Sequence, residues 1–347
     1  MSIKADEVKD LARECGFELA GITQADPVAD FSRFDDWRRQ GNAGDMTYLT
    51  DRRGDLRSDP RNLLPEAQTI VCVGKLYNTP VPRSIDLDGN DRGWISRYAW
   101  GSDYHPEMTK ALKALAEKIA ERHGEPFAWR VCVDTAPLLE RSYATQAGLG
   151  WIGRNTCLIN QAAGSWFFLG ELLLSIPLSP DSPPPDRCGT CTRCIDACPT
   201  AAIIPDANGW HLDARLCISY LTIEKRGPIS DGLGQQIGNH VFGCDICQDV
   251  CPWNRRAPVT TDASYYPKAY APALDELSLL SEEEFREVFR NSPVWRTKYS
   301  GFLRNVALAM GNAGREAMRG PLERLAQHPD ETVAVTARGV LERLARG

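Results

Sequence analysis

The sequence predicts an α+β protein of three consecutive parts: an α/β domain at residues 1–180, a cysteine-rich domain at 181–260 and a helical segment at 275–347. Three observations lead to this class. Helical and strand-like hydrophobic patterns are mixed through the first 180 residues. A proline-rich linker, Pro177 to Pro185, is followed by eight of the twelve cysteines, between Cys188 and Cys251. The rest of the chain has helical periodicity.

Each element of the first domain follows from its hydrophobic period. Helical spacing is found at 5–16, Phe31–Gln40, Leu138–Ala147 and Glu107–His123, where Leu112, Leu115 and Ile119 share a face. Strand-like runs are Phe17–Thr23, Thr69–Leu76, Phe127–Val133, Thr156–Asn160 and Trp166–Ile176, the last two forming a predicted hairpin around Gly164-Ser165. The charged stretch Asp51–Pro65 and the polar stretch Pro80–Arg92 are predicted to be loops.

One glycine motif in this domain suggests a different chemistry. Gly148 to Gly153 matches G-x-G-x-x-G, and Glu171 lies eighteen residues beyond it. A dinucleotide-binding turn follows a strand and opens a helix. This motif instead follows a helical pattern and precedes the strand-like Thr156–Asn160. We therefore predict no nicotinamide site at these glycines.

The cysteines indicate iron–sulfur chemistry. Cys188, Cys191, Cys194 and Cys198-Pro199 form the C-x2-C-x2-C-x3-C-P pattern of two-cluster bacterial ferredoxins, in which the fourth cysteine serves the other cluster. The second run has only Cys244, Cys247 and Cys251-Pro252, and the lone Cys217 supplies the missing ligand. The sequence thus predicts a ferredoxin-like domain with two [4Fe–4S] clusters.

A short cysteine loop can surround three corners of one cluster, while the cysteine before proline points toward its neighbour. One predicted ligand set is Cys188, Cys191, Cys194 and Cys251, and the other is Cys198, Cys217, Cys244 and Cys247. Two four-cysteine zinc sites are the alternative, since C-x2-C pairs also suit tetrahedral zinc.

The charge is unevenly distributed along the chain. The net charge is −6, but residues 291–347 hold nine Lys and Arg against five Asp and Glu, or +4. Three helical stretches there, Phe302–Gly311, Pro321–Gln327 and Thr332–Leu344, predict a HEAT-like segment. Such a basic surface can follow phosphates although the protein is acidic. No apolar run approaches eighteen residues and the N-terminus lacks an apolar signal segment, so we expect a cytoplasmic protein with no membrane partner.

Asp134 follows the predicted strand Phe127–Val133 and precedes a predicted helix. It could cap that helix, because aspartate oxygens accept hydrogen bonds from the first free amides of a helix. It could also be a proton donor, which would require burial to raise its pKa. If the helix begins at Asp134, Arg141 shares its face.

Several segments together resemble epoxyqueuosine reductase over nearly the whole chain. They are Val133-Asp134-Thr135, Gly150 through Asn155, Gly164-Ser165, the doubled cysteine pattern, Cys217-Ile218-Ser219 and Gly238-Asn239. The resemblance implies a cobalamin- and [4Fe–4S]-dependent oxidoreductase of queuosine biosynthesis, which reduces epoxyqueuosine to queuosine in the tRNA wobble position. Its base-off cobalamin would lie between the N-terminal domain and the cluster domain. His105 is not expected to ligate cobalt, since Met108 replaces the glycine of a D-x-H-x-x-G motif.

The resemblance also implies the site residues. Asp134 would donate the proton, and Arg141 would hold the substrate nearby. Cobalamin contacts would come from Arg57, Arg97, Asp134, Leu158, Leu169 and Ser219. The anticodon stem-loop of tRNA would meet Arg141, Lys225, Arg296, Lys298 and Arg304. An external donor such as flavodoxin or ferredoxin would supply the electrons.

Two other classes of protein are alternatives. A reductive dehalogenase-like enzyme shares cobalamin and two clusters, but it usually carries an export signal, and Arg38-Arg39 lacks a following apolar stretch. A ferredoxin-type electron-transfer protein needs neither the large N-terminal domain nor the basic helical tail.

Overall fold

The computed structural model describes residues 3–87, 89–207, 209–267 and 270–346. Residues 1, 2 and 347, at the ends of the first and third predicted domains, lie outside this description. By compactness the chain divides into two discontinuous units. Unit 1 comprises Met1–Asn78, Tyr104–Thr192 and Pro252–Thr261; unit 2 comprises Thr79–Asp103, Arg193–Cys251 and Asp262–Gly347. The three-domain division from sequence stays a prediction.

The secondary structure is mixed, as the sequence predicts. In chain order, the helices are α1 Ala5–Glu14, α2 Asp30–Arg39, α3 Thr47–Thr50, α4 Arg52–Leu56, α5 Tyr104–His123, α6 Glu140–Gln146, α7 Arg193–Asp196, α8 Ile218–Ile223, α9 Asp231–Gln236, α10 Ile246–Asp249, α11 Leu274–Leu279, α12 Glu282–Phe289, α13 Lys298–Ala313, α14 Arg319–Leu325 and α15 Glu331–Arg346. The strands are β1 Leu19–Gln24, β2 Thr69–Leu76, β3 Trp94–Ile95, β4 Trp129–Cys132, β5 Trp151–Ile152, β6 Leu158–Ile159, β7 Phe167–Leu174, β8 Ile203–Asp206, β9 Gly209–Leu212 and β10 His240–Phe242.

Unit 1 is built on a four-stranded sheet in the order β1-β2-β7-β4, antiparallel throughout. The α/β description of the N-terminal domain is therefore refined to an antiparallel α+β arrangement. Strands β2 and β7 are buried along almost their whole length, because helices pack against the sheet. Helix α5 contacts β7 and β4, and helix α6 contacts β1, β2 and β7. As predicted, Leu112, Leu115 and Ile119 form the buried face of α5.

Helix α6 lies very close to the sheet, and a glycine makes this possible. A Cβ atom at Gly21 of β1 would lie 1.9 Å from the carbonyl oxygen of Ala147, which ends α6. No side chain fits in that space. The close approach fixes α6 over the sheet face that carries Cys72 and Cys132.

Two predictions for unit 1 are wrong. The predicted loop Asp51–Pro65 contains α4, because the Asp51 side chain accepts a hydrogen bond from the Arg53 backbone N–H at 2.8 Å and caps the helix. The predicted hairpin around Gly164-Ser165 is reduced to an isolated bridge between Asn160 and Gly164. Strand β6 pairs instead with β5, and β7 pairs with β2 and β4.

Unit 2 holds the cysteine-rich segment from Arg193 to Cys251 together with the C-terminal helices. Its strands form two small pairs, parallel β3-β10 and antiparallel β8-β9. Helix α13 is its centre and packs on α11, α14, α15, α8, α9 and β10. The three predicted C-terminal helices correspond to α13, α14 and α15, whereas the HEAT-like assignment stays a prediction.

Polar groups inside unit 2 join α13 to α8. The buried Arg304 guanidinium donates to the carbonyl oxygens of Leu221, Lys225 and Gly227 at 2.7 to 2.9 Å. The neighbouring amide of Asn305 donates to the Thr222 and Val241 carbonyls at 2.8 and 2.9 Å. Across the part of the chain that is described, no helix is both long enough and apolar enough to span a membrane.

Candidate active site and cluster ligands

Asp134 lies on the loop that joins β4 to α6. Its φ angle is +47°, in the left-handed region that residues other than glycine rarely adopt. The helix-cap interpretation is wrong, because α6 begins at Glu140 and its cap position is Leu139, with no side-chain cap. Since α6 does not reach back to Asp134, Arg141 does not share a helical face with it either.

Two side chains from other elements hold Asp134. Glu140, the first residue of α6, accepts a hydrogen bond from the Asp134 backbone N–H through Oε1 at 2.7 Å. His105, from the first turn of α5, has its Nε2 at 3.1 Å from Asp134 Oδ2. About a third of each of these two side chains, His105 and Asp134, is exposed to solvent, 30% and 37%. The Asp134 carboxyl is thus oriented by protein groups and still open to a reactant.

His105 belongs to an aromatic stack. Tyr104 stacks on the His105 ring at 4.2 Å and on the Phe168 ring at 4.0 Å, and Tyr77 packs on Phe168 at 4.5 Å. The stack fixes the imidazole beside Asp134. That His105 does not ligate cobalt stays a prediction.

A buried acid lies behind this loop. Glu171 of β7 is fully buried, directly across from Cys72 of β2 and Cys132 of β4. Burial raises its pKa well above the ordinary range, and the nearby Glu140 carboxyl raises it further. The two facing thiols carry no charge either, because burial raises the pKa of Cys132 to about 12 and also raises that of Cys72. Burial and the neighbouring carboxyl therefore both favour the protonated form of Glu171.

Glu140 has an unusual pKa as well. Burial and the charge of Asp134 raise its pKa to about 7, against the opposing effects of Arg141 and Arg57. Neither Glu140 nor Glu171 was predicted as a site residue. The available signal was a single carboxylate within the otherwise apolar strand Phe167–Leu174.

The other predicted contacts in unit 1 lie in different surroundings. Arg57 is buried, and its guanidinium donates to the Tyr48 and Arg53 carbonyls. Leu158 is buried in the core between the sheet and α6, and Leu169 packs against that core with partial exposure. Arg141 is exposed and donates to the Thr156 carbonyl at 2.9 Å.

In unit 2, two predicted residues are buried among backbone carbonyls. Arg97 donates to the carbonyls of Thr79 and Val81 and stacks on Trp100 at 4.7 Å. Arg304 is 1% exposed. Its predicted contact with tRNA is a mistake that the structure corrects, because the guanidinium is enclosed and already hydrogen-bonded on each side.

The remaining predicted contacts of unit 2 are accessible to different degrees. Ser219 and Lys225 are partly buried, and Lys298 is exposed, with its ammonium 5.1 Å from the Trp295 ring centre. Arg296 makes a 2.6 Å ion pair with Glu224. Several other basic groups of the tail are also paired, such as Arg315 with Asp91 and Arg343 with Asp231. The basic tail thus offers fewer available charges than its composition suggests.

The four cysteines predicted for one cluster, Cys198, Cys217, Cys244 and Cys247, all belong to unit 2. The pKa of Cys244 is raised, first by burial and further by the neighbouring thiols of Cys217 and Cys198. Backbone N–H groups point at the sulfurs: Ala202 donates to Cys198 Sγ at 3.4 Å, and Ile246 donates to Cys244. Cys247 lies in the short helix α10, which begins directly after Asp245. Amide donors at sulfur suit an iron–sulfur cluster, whose potential depends on such hydrogen bonds. The assignment of these four cysteines to one cluster stays a prediction.

The ligands of the other predicted cluster fall in both units. Cys188 and Cys191 belong to unit 1, and Cys194 and Cys251 to unit 2. The Cys188 N–H donates to the Asp186 side chain at 2.7 Å, and the Cys191 N–H donates to the Cys188 carbonyl at 3.1 Å, so that loop is compactly turned. The assignment of these four cysteines to one cluster stays a prediction.

Comparison with known proteins agrees with this site. Residues 187–254 match a family described as a 4Fe-4S double cluster binding domain, and residues 57–135 match epoxyqueuosine reductase QueG, DUF1730. An epoxyqueuosine reductase from Xanthomonas campestris pv. campestris is 43% identical over 92% of this chain and 90% of that protein. One from Escherichia coli is 40% identical over 98% and 90%. A crystal structure of epoxyqueuosine reductase with a tRNA-Tyr epoxyqueuosine-modified stem loop superimposes with a TM-score of 0.86, at 30% identity, over 98% of this chain and 89% of that one.

A double-cluster cysteine domain, together with an acid held at a strand end in an antiparallel α+β unit, defines an iron–sulfur oxidoreductase. Identity of 40 to 43% over nearly the full length makes the assignment particular. The chain belongs to the epoxyqueuosine reductase family. This membership confirms the predicted enzyme class, and the domain match confirms two [4Fe–4S] clusters rather than zinc.

Proposed function

We propose that Asp134 is the proton donor in the reduction of epoxyqueuosine to queuosine at the wobble position of tRNA. Conversion of an epoxide to an alkene consumes two electrons and two protons and releases one water. Bound cobalamin, reduced through the two clusters, supplies the electrons. The chain's own residues supply the protons and hold the ring in place.

Protonation is needed because each C–O bond that breaks leaves negative charge on oxygen. A positioned acid that transfers its proton as the charge develops lowers that barrier. Asp134 has the required geometry: Glu140 fixes its backbone, His105 fixes its carboxyl, and a third of the side chain is open. The oriented and accessible Asp134 carboxyl is the single observation that carries this proposal.

The structure limits how cobalamin could be held. Of the residues proposed to contact it, Asp134, Leu169 and Ser219 have accessible surface, whereas Arg57, Arg97 and Leu158 are buried. The buried three would act by supporting the walls of the site.

We also propose an RNA contact through exposed cations. Lys298 and Arg141 are the exposed members of the predicted set, while Arg296 and Lys225 are partly buried. The tRNA stem loop bound by a solved member of this family supports the anticodon stem-loop as the partner. A cytoplasmic location and an external flavodoxin or ferredoxin as electron donor complete the proposal.

The decisive experiment uses protein purified without oxygen. We expect its absorbance spectrum to show cobalamin and iron–sulfur bands together, and the chemically reduced protein to convert an epoxyqueuosine-containing stem-loop to queuosine. Cluster bands without cobalamin, and no conversion of the stem-loop after cobalamin is added, would indicate an electron-transfer protein instead. Removal of halogen from an aryl halide, with the stem-loop untouched, would indicate a dehalogenase.

A further inference from the structure

Glu140 and Glu171 are placed to control the protonation of Asp134, an inference that rests on the proposed role of Asp134 as proton donor. A proton donor must hold its proton when the substrate arrives. Asp134 is partly exposed and lies 3.1 Å from His105, whose protonated form would favour an ionised Asp134. Some other group must therefore favour the protonated form.

Among the described residues, the two glutamates are the anionic groups that can act in this direction. The Glu140 side chain contacts Asp134 directly, because it accepts a 2.7 Å hydrogen bond from the Asp134 backbone N–H. Because like charges close together disfavour a second ionisation, negative charge on Glu140 favours a protonated Asp134. The energetic coupling is mutual, since the charge of Asp134 raises the pKa of Glu140.

Glu171 determines how much charge Glu140 carries. It is fully buried, and neither of its oxygens receives a hydrogen bond from any described residue. An unpaired carboxylate in such surroundings is very costly, so Glu171 keeps its proton. The acceptor within its reach is the Glu140 carboxyl. That hydrogen bond stabilises the ionised form of Glu140 and compensates for its poor hydration.

The charged groups around the pair are few. Arg57, next to α4, and Arg141, on α6, favour the ionised form of Glu140. Asp134, on the loop after β4, opposes it, and His105 of α5 contacts Asp134 on its other side. The thiols of Cys72 and Cys132, on β2 and β4, face Glu171 and stay neutral. These surroundings therefore stabilise a single negative charge on the Glu140–Glu171 pair and make a second negative charge unfavourable.

We propose that Glu140 and Glu171 form a hydrogen-bonded acid pair that shares one proton, and that its single negative charge keeps Asp134 protonated and ready to donate. Glu140 is then a positioning residue in two senses, because it fixes the backbone of Asp134 and controls its protonation. Glu171 supplies the hydrogen bond that permits this charge inside the protein.

The test separates charge from shape. Glu140→Gln keeps an oxygen that can accept from the Asp134 N–H but removes the charge. Glu171→Leu removes the hydrogen-bond donor to Glu140 and leaves the Glu140 side chain in place. Glu117→Gln, on an exposed part of α5, is the matched control. Each protein is loaded with cobalamin and clusters and reduced, and stem-loop reduction in a single turnover is measured from about pH 5.5 to about pH 9, on both sides of neutrality.

For Glu140→Gln we expect the alkaline limb of the rate–pH profile to move to lower pH by about one unit. On the alkaline side of that limb the rate should then be roughly tenfold lower than in the wild type. The rate at the acidic end should be retained. Glu117→Gln should keep the wild-type profile. Glu171→Leu should move the alkaline limb in the same direction as Glu140→Gln, because Glu140 loses the hydrogen bond that stabilises its charge. A Glu140→Gln profile that coincides with wild type would overturn the proposal and leave Glu140 as a purely structural contact.

A second measurement does not depend on activity. Infrared spectra recorded across neutral pH should contain a carboxylic acid carbonyl band that titrates in the wild type and in Glu117→Gln. In Glu140→Gln the band should remain but should no longer titrate across neutral pH, because the buried Glu171 keeps its proton. A band that still titrates in Glu140→Gln would contradict the shared proton even if that variant were inactive. If the wild-type enzyme failed to reduce the stem-loop, the proposed function would fall, while the infrared result would still decide the acid pair.

Discussion

The backbone N–H of Asp134 donates a 2.7 Å hydrogen bond to Glu140 Oε1, and this bond stabilises an unfavourable backbone conformation at Asp134. A non-glycine residue at φ +47° is strained, and strain of about 1–3 kcal/mol persists only where surrounding contacts impose it. The contacts with Glu140 and His105 do so in this loop. Strain at the residue that we propose as the proton donor is consistent with a functional position.

Asp134→Asn tests the proton donor with little change in shape. Asparagine tolerates the left-handed backbone conformation at least as well as aspartate, so the loop should keep its structure. Cobalamin and cluster absorbance should be retained, while single-turnover reduction of the stem-loop falls by about 10²–10⁴-fold, the usual worth of a positioned acid. Near-wild-type turnover would assign the donor to another residue.

The raised pKa of Glu140 should make stability depend on pH. Its pKa is about 7 in the folded protein, well above the ordinary glutamate value. The folded state therefore binds this proton more tightly than the unfolded state, which adds stability at low pH that is lost as pH rises toward 7. We expect the thermal midpoint of the wild type to decrease as the pH rises from about 5 to about 7, and we expect a smaller decrease for Glu140→Gln. Equal decreases would mean that Glu140 ionises normally.

The eight predicted ligands should account for all the iron. Two [4Fe–4S] clusters require about eight irons per chain. Cys217→Ser should lose about half of the iron, whereas serine at Cys15, Cys72, Cys132 or Cys157 should lose none, because these four lie outside the predicted ligand sets. Iron and sulfide analysis of anaerobically purified variants is the measurement. Full iron content in Cys217→Ser would remove it from the ligand set.

Arg304 should be a structural residue. Burial lowers its pKa only to about 10, so it is charged at neutral pH while bound to three carbonyls and Asn305. Arg304→Met should cost about 3 kcal/mol or more, because several buried acceptors lose their donor. Arg324→Met, at an exposed position of α14, is the control and should be nearly neutral. Denaturation of the two variants compares them, and a stable Arg304→Met protein would contradict this interpretation.

Lys298 should contribute to RNA affinity through charge alone. Each phosphate contact that is lost lowers the salt dependence of binding by roughly 0.7–0.9 in the log–log slope. Lys298→Gln should therefore weaken stem-loop binding at low salt and reduce that slope, whereas Arg338→Gln, whose partner is Glu331, should do neither. Binding measured over a series of salt concentrations makes the comparison. An unchanged slope for Lys298→Gln would place the RNA on another surface, such as that of Arg141.

Local patterns predicted the elements whose residues determine their own structure. The strand Thr69–Leu76 is found at the predicted bounds because its apolar residues are buried on both faces of the sheet. The buried face of α5 follows directly from its 3.6-residue period. The cysteine runs were equally informative, since ligand spacing is a local property.

Properties that depend on distant contacts were missed. The pairing of β7 with β2 joins segments far apart in the chain, so no turn signal could reveal it. Arg304 was counted with the surface charges because composition does not distinguish an enclosed guanidinium from an exposed one. The partnership of Glu140 with Glu171 likewise depends on α6 lying against β7, which only the folded chain provides.

The buried hydrogen bonds of α13 have a consequence for engineering. Helix α8 begins directly after Cys217, and its Thr222 donates to the Ile218 carbonyl, accepts from the Gly243 N–H next to Cys244, and offers its own carbonyl to Asn305. Two cluster ligands are thus braced by a helix from the far end of the sequence. The C-terminal region cannot be exchanged or trimmed as an independent RNA-binding attachment, because a shortened chain that ends before α13 would lose Lys298 together with the support of the segments that carry Cys217 and Cys244.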